Sequence, residues 1–295
     1  MADSNIVLIT GTSTGFGRLM SITLARRGYR VFASMRDATA RNRAHVTDLE
    51  DLARKEDLRL HVIEMDVTDE FSVQRAVDRV IQDAGTIDVV VNNAGAAYWG
   101  LVETFTVEQV KAMFDTNFFG PFRVNRAVLP HMRKRRSGLI IHMSSVAGRL
   151  VLPSMGIYCA TKFALEAMAE TLRYELSQLG IDSVTIEPGA YPTAIFGNAV
   201  EPADLVRAAD YGPLAQLPRQ VHDALAGTQT NSQEVADRVG QLIEMPVGTR
   251  PVRMFVGMEQ FQPVNDVALQ WQTAAMQAFG LRELMTLYRS EGQVA

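Results

Sequence analysis

Residues 5–28 read "NIVLITGTSTGFGRLMSITLARRG". An apolar, β-branched run ends at Thr10, a turn carrying Gly11, Gly15 and Gly17 follows, and a helical pattern continues behind it. Glycines in a strand-to-helix turn let the backbone bend tightly and approach a pyrophosphate, which the helix holds with free N–H groups and the positive end of its dipole. The spacing is G-x-x-x-G-x-G rather than the commoner G-x-G-x-x-G, and glycines also serve ordinary turns. The motif therefore draws its meaning from its place between a first strand and a helix.

Working outward, strand-like runs recur at helix-length intervals: "YRVFASM" (29–35), "LRLHVIEMD" (58–66), "IDVVVNN" (87–93), "GLIIHMS" (138–144), "DSVTIEP" (182–188) and "PVRMFVG" (251–257). Strands alternating with helical segments imply right-handed crossovers and a parallel sheet covered on both faces, which explains runs that are apolar throughout. The expected fold class is α/β, with a doubly wound sheet. Thr106 with Gln109 reads as a capping box, Thr68 stands ahead of a helix with acid in its first turn, and Gly85 closes that helix. With no repeat and no clear linker, residues 1–295 read as one domain. Within it, residues 189–227 form an excursion that covers a site, and residues 258–295 form an amphipathic helical extension.

The chain has 295 residues, 47% of them hydrophobic, and a formal charge of −4, which speaks against a general nucleic-acid binder. Its single cysteine cannot form an internal disulfide, and His45, His61, His131, His142 and His222 follow no metal-ligand spacing, so no metal site is expected. The first residues lack a basic segment followed by a long apolar run, and no stretch approaches eighteen apolar residues; a cytoplasmic, unanchored protein is expected.

"YCATK" (158–162) sets Tyr158 and Lys162 four residues apart, so on a helix they share a face while Cys159 points about 100° away. An ammonium beside a phenol favours the phenolate and brings the tyrosine toward the range useful for proton transfer. Such pairs are common on helix surfaces; the serine thirteen residues upstream, Ser145, just past a strand, sets this one apart. Cys159 as a nucleophile lacks a supporting histidine and reads as a small buried hydrophobe. "RKRR" (133–136) reads as a solvated helix end complementing the dipole.

"TGTSTGFG" (10–17), "NNAG" (92–95), Asn117, "SSVAG" (144–148), "YCATK" (158–162) and "PG" (188–189) together resemble the short-chain dehydrogenase/reductase family in its compact single-domain form, over about residues 5–190 in family order. The resemblance implies a nicotinamide-dependent oxidoreductase on a Rossmann-type, mostly parallel seven-stranded sheet with helices on both faces, acting on CH–OH and C=O groups. "RRGYRVFASMRD" (26–37) is similar to the branch that includes 17β-hydroxysteroid and retinol dehydrogenases. The implied cofactor contacts are Gly11, Ser13, Thr14, Gly15, Phe16, Gly17, Arg36, Asp66, Val67, Asn93, Ala94, Gly95, Tyr158, Lys162, Pro188, Gly189, Tyr191 and Thr193. Tyr191 is a departure, since family members usually carry an aliphatic residue there. Asp66 also reads as an ordinary cap. The implied catalytic set is Tyr158 as general acid/base, Ser145 as a donor to the same carbonyl oxygen, Lys162, and Asn117 in a proton relay.

Strand two ends "ASMRD": Met35 stands where an acid would select NAD, and Arg36 follows as a partner for a 2′-phosphate, so NADP(H) is favoured over NAD(H). The competing reading keeps Asp37 as the acid and Arg36 as a surface charge. Tyr191, Ile195, Phe196, Tyr211 and Leu214 offer an apolar lining, which favours a lipophilic ketone or aldehyde and its alcohol as small-molecule substrate. The family habit implies a homodimer or homotetramer through the helices flanking the tyrosine segment. Two other classes stay open: a nucleotide-binding redox sensor or regulator without turnover, and an NAD-dependent epimerase or dehydratase.

Overall fold

A computed structural model describes residues 5–286 of the chain; the end of the expected C-terminal extension, residues 287–295, lies outside them, as do residues 1–4. Seven strands, β1 (Ile6–Thr10), β2 (Arg30–Met35), β3 (Leu60–Glu64), β4 (Val89–Asn92), β5 (Gly138–Met143), β6 (Ile181–Pro188) and β7 (Arg253–Val256), arise at the seven apolar runs, β6 beginning one residue ahead of its run. They form one sheet in the order β3-β2-β1-β4-β5-β6-β7, and every pairing is parallel. Between them lie α1 (Gly15–Arg26), α2 (Arg43–Lys55), α3 (Glu70–Ala84), α4 (Val107–Phe114), α5 (Gly120–Arg135), α6 (Gly156–Ser177), α7 (Ala194–Gly197), α8 (Leu205–Asp210), α9 (Leu217–Ala226) and α10 (Gln233–Glu244), with α11 (Gln262–Ala278) after β7.

Side chains alternate across the sheet, and both faces are dry. Val7 and Ile9 join Met20 and Leu24 of α1 and Val239 of α10 in one layer; Ile6 and Leu8 join Val77 and Val80 of α3 and Val124 and Val128 of α5 in the other. At the sheet edge β3 breaks this pattern, with His61 and Glu64 exposed. Fully burying each aliphatic side chain contributes about 1.5–3 kcal/mol, so the pattern alone commits the central strands to the middle of the fold.

The capping box at Thr106 forms, with Gln109 N–H donating to Thr106 Oγ1 and the Gln109 side chain accepting from Thr106 N–H. Gly85 ends α3 at φ +78°. The cap of α3 is Asp69 rather than Thr68: Asp66 Oδ1 accepts both the N–H and the hydroxyl of Thr68, at 2.9 and 2.7 Å, which leaves Asp69 to accept from Phe71 N–H. α4 and α5 are joined by a π-helical turn, Asp115–Phe119.

Strand order reverses between β1 and β4, so a crevice opens at their C-terminal ends. The excursion after β6 returns over it as α7, α8 and α9. It is tied down by Trp99 N–H to the Val200 carbonyl (3.3 Å) and Val200 N–H to the Ala97 carbonyl (3.1 Å). The Gln109 amide donates to the Glu201 carbonyl and accepts from Ala203 N–H, so one side chain serves both a helix cap and the covering segment.

Candidate active site

The glycine turn at the end of β1 is shaped by close backbone approach. Gly11 and Gly15 have φ of +69° and +56°, a region that L-residues with a Cβ rarely adopt. A Cβ on Gly17 would stand 2.3 Å from the Gly11 carbonyl oxygen and 2.5 Å from Asn93 Nδ2. α1 begins just there; Thr14 makes no side-chain cap bond and no acid stands in the first turn, so its leading N–H groups and dipole face the crevice. A cradle that a Cβ would fill, beneath an uncapped helix start, fits a dinucleotide pyrophosphate. Thr193 lies over it, 3.5 Å from where a Gly15 Cβ would be.

Thr10 and Asn93 hold this turn against β4. Thr10 Oγ1 accepts from the N–H groups of Asn93 and Ala94, both at 3.0 Å, and Asn93 Nδ2 donates to the carbonyls of Thr10 and Gly11. The Asn93 side chain is thus engaged in shaping the turn. Met35 is buried at the end of β2, while Arg36 and Asp37 are exposed beyond it. The chain turns at Asp37 (φ +49°), and Asn42 Nδ2 donates to the Arg36 carbonyl at 2.7 Å. Asp66 takes part in its local turn with Thr68, and Val67 packs against Gly120.

At the other end, α6 carries Tyr158 and Lys162 on one buried face. Lys162 Nζ donates to the Met143 carbonyl at 2.8 Å and lies 5.7 Å from the centre of the Tyr158 ring. Burial pulls Lys162 down to about 8, against the pull of the Glu166 carboxylate. Burial also pushes Tyr158 up to about 12, with Ser145 drawing it back. That corrects the expectation of a lowered tyrosine: in the protein alone, desolvation of the phenolate outweighs the neighbouring ammonium. Ser145 Oγ accepts from Ala147 N–H at 3.1 Å, which leaves its own proton free to donate. Asn117 sits in the π turn. Its Oδ1 accepts from Ala96 N–H, and its Nδ2 donates to the Ala96 carbonyl and to Thr161 Oγ1. Gly95 lies between them, where a Cβ would be 3.4 Å from Asn117 Oδ1 and 3.9 Å from Lys162 Nζ.

Residues 5–204 match the short chain dehydrogenase family. The chain belongs to that family. Among relatives of this short-chain dehydrogenase, "Uncharacterized oxidoreductase YusZ" of Bacillus subtilis is 34% identical over 248 residues, covering 81% of this chain and 85% of the relative. 17-beta-hydroxysteroid dehydrogenase type 1 of Mus musculus is 36% identical, covering 68% of this chain and 60% of its own. Retinol dehydrogenase 8 of Bos taurus is 37% identical, covering 68% and 64%. The chain thus spans less than two thirds of the length of those two relatives. A solved short-chain dehydrogenase from Streptomyces avermitilis superposes with a TM-score of 0.77 at 27% identity, over 95% of this chain and 98% of that one. The protein is accordingly an oxidoreductase of the class that acts on CH–OH and C=O groups with a nicotinamide dinucleotide.

Several side chains of this short-chain dehydrogenase depart from the sequence reading. Tyr191 is 2% exposed; its ring packs edge-on against Phe16 and beside Gly257, and its hydroxyl donates to Glu234 of α10 at 3.0 Å. It is a packing residue, turned into the core. Of the expected apolar lining, Ile195 and Phe196 pack on the cluster that contains Tyr158, whereas Tyr211 donates outward to Glu103 and Leu214 is exposed. Pro188 ends β6, and Gly189 gives Met258 room, a Cβ there standing 2.5 Å from Met258 Cγ. Cys159 is buried in the same cluster as Tyr158, and burial pushes its thiol up. His142 is enclosed in β5, and burial, aided by Lys162, holds it down to about 3, so it is neutral. The sequence reading placed Thr10 in the glycine motif without its bonding role, and missed Thr161 and also Trp99, which stacks on Phe196 at 5.6 Å and meets His222 edge-on. A polar residue closing an apolar strand was the available signal for Thr10; the other two are set by contacts distant in sequence.

Proposed function

We propose that the protein is an NADP(H)-preferring carbonyl reductase or alcohol dehydrogenase that interconverts a lipophilic ketone or aldehyde and its alcohol, with Tyr158 as general acid/base. The observation that carries this reading is the convergence of Tyr158, Ser145, Lys162 and Asn117 at the end of the crevice that also holds the glycine cradle. When bound, the nicotinamide exchanges hydride with the substrate carbon. Tyr158 gives its phenolic proton to the carbonyl oxygen in reduction and takes it back in oxidation. Ser145, its oxygen engaged by Ala147 N–H, aims its proton at the same oxygen, where negative charge develops. Lys162, anchored on the Met143 carbonyl, keeps a cation beside the ring and eases loss of that proton. Neutral His142 adds no competing charge.

Exposed Arg36 after buried Met35 supports the 2′-phosphate preference. Trp99, Phe196, Leu152, Met155 and Ile195, clustered about Tyr158, support an apolar substrate, and two relatives are named for a hydroxysteroid and for retinol, both apolar alcohols. Phe119, Phe122 and Phe163, exposed on the π turn, α5 and α6, and a cavity of about 490 Å³ lined by Phe119 with Val107, Val110 and Phe114, support a homodimer or homotetramer. Among the described residues no helix is long and apolar enough to cross a membrane, and a cytoplasmic location is proposed.

The test is loss of NADPH absorbance with aldehydes, alkyl and aryl ketones and a ketosteroid, beside NADH and a Tyr158→Phe variant. Turnover that prefers NADPH and is lost in the variant is expected. Tight NADPH binding without turnover on any member would point instead to a sensor.

A further inference from the structure

The face of α6 that carries Tyr158 and Lys162 continues with Glu166 and Glu170, each one turn further on. Glu166 is 2% exposed and Arg253, from β7, is 6% exposed. Arg253 Nε donates to Glu166 Oε2 at 2.9 Å, and its Nη2 donates to Glu170 Oε2. Among the described residues the other Glu166 oxygen, Oε1, has no hydrogen-bond partner, nor has Ser144 Oγ. Both face Gly148, where a Cβ would stand 2.6 Å from Ser144 Oγ and 3.0 Å from Glu166 Cγ. The glycine of "SSVAG" therefore makes the space that lets this carboxylate sit beneath the catalytic serine loop.

We propose that Glu166, clipped in place by Arg253, is a positioning residue that holds Lys162 as its ammonium and so sets the pH range in which Tyr158 can transfer a proton. This rests on the oxidoreductase reading above. A negative charge one helical turn away in a dry interior acts on the ammonium with little screening. Around Lys162 stand Tyr158 and Glu166 of α6, neutral His142 of β5 and Asn117 of the π turn. Around Glu166 stand Arg253 of β7, Glu170 of α6 and Glu187 of β6, the last 3.8 Å from Arg253 Nε, with Asn265 of α11 donating to it and Arg149 acting on it from the loop after β5. Burial, reinforced by Glu166, pushes Glu187 well above the usual carboxylate range. Arg253 Nε meets Glu166 at 2.9 Å but Glu187 only at 3.8 Å, so Glu166 is the carboxylate that the guanidinium holds, one helical turn from Lys162.

The chain's lysines are Lys55, Lys111, Lys134 and Lys162, few enough for 13Cε-lysine NMR, with Lys162→Arg identifying the signal by its loss. In Glu166→Gln the Lys162 midpoint is expected to fall by roughly one pH unit, and the alkaline limb of kcat/KM for carbonyl reduction to fall with it. An unmoved midpoint overturns the proposal, as does a loss of kcat that is equal at every pH. If Glu166→Gln fails to fold, Glu166→Asp, which draws the charge back by one methylene, is expected to lower the midpoint by less; no movement overturns the proposal. Should the wild type reduce no carbonyl, the oxidoreductase reading fails while the NMR midpoint still decides the coupling between Glu166 and Lys162.

Discussion

At the glycine end of the crevice side chains are excluded: backbone approaches backbone, and a Cβ on Gly17 would stand 2.3 Å from the Gly11 oxygen. At the tyrosine end the reverse holds, with Tyr158, Lys162, Glu166 and Arg253 all buried and each dependent on another's charge or hydrogen bond. Backbone recognition suits a pyrophosphate, whose charge is diffuse and whose partner is an array of N–H groups. Proton transfer needs one atom at one place with a tuned affinity for a proton, which only a side chain supplies. Substitutions at the two ends are therefore expected to separate cofactor binding from chemistry.

The largest effect belongs to the reacting end. Tyr158→Phe removes the hydroxyl proposed to transfer the proton and is expected to lower kcat by about 10²–10⁴-fold, with NADPH affinity, read by fluorescence titration, within a few-fold of wild type. Equal loss of affinity and rate would erase the division between the two ends. Next comes the cradle: Gly17→Ala forces a methyl against the Gly11 carbonyl and Asn93 Nδ2, which are hydrogen-bonded to each other while Thr10 holds Asn93. Backbone displacement of this kind costs about 1–3 kcal/mol, so NADPH affinity is expected to fall about 10–100-fold, with NADH affinity falling equally because both share the pyrophosphate. Arg36→Ala sharpens the comparison within the cofactor itself. Loss of a charge-assisted contact is expected to weaken NADPH about tenfold or more and to leave NADH unchanged; an equal effect on both cofactors would remove Arg36 from the phosphate.

What was legible in the sequence follows the same division. The sheet could be read because central strands are apolar on both faces, and the glycine turn because its geometry is local to eight residues. Tyr158 and Lys162 could be read because helix periodicity places them together. The charge on Lys162 could not, since Arg253 reaches Glu166 across 87 positions of sequence and Glu166 reads locally as one more polar helix residue. Nor could the pKa of Tyr158: its ammonium neighbour is visible in "YCATK", but the burial that outweighs it comes from the aromatic cluster gathered by the segments around Trp99 and Phe196. The π turn at Asn117 has no local signature in "DTNFFG".

Tyr191 tests the boundary between the two ends with the smallest expected effect. Its position two residues after Pro-Gly suggests a cofactor contact, but side-chain direction is decided by groups far along the chain. Gly257, at φ +72°, leaves room for the ring, and Glu234 of α10 accepts the hydroxyl proton at 3.0 Å. Burial and that carboxylate both push the Tyr191 phenol upward, so it stays protonated and acts as donor across the neutral range. Tyr191→Phe keeps the ring against Phe16 and deletes only this bond, which is expected to cost about 1 kcal/mol of stability. Cofactor affinity and kcat are expected to stay within about twofold, because about 1 kcal/mol lost in the core need not move the cradle. A tenfold loss of NADPH affinity with unchanged thermal stability would return the hydroxyl to the cofactor and show that the core on which Gly15 and Thr193 rest is itself part of the binding surface.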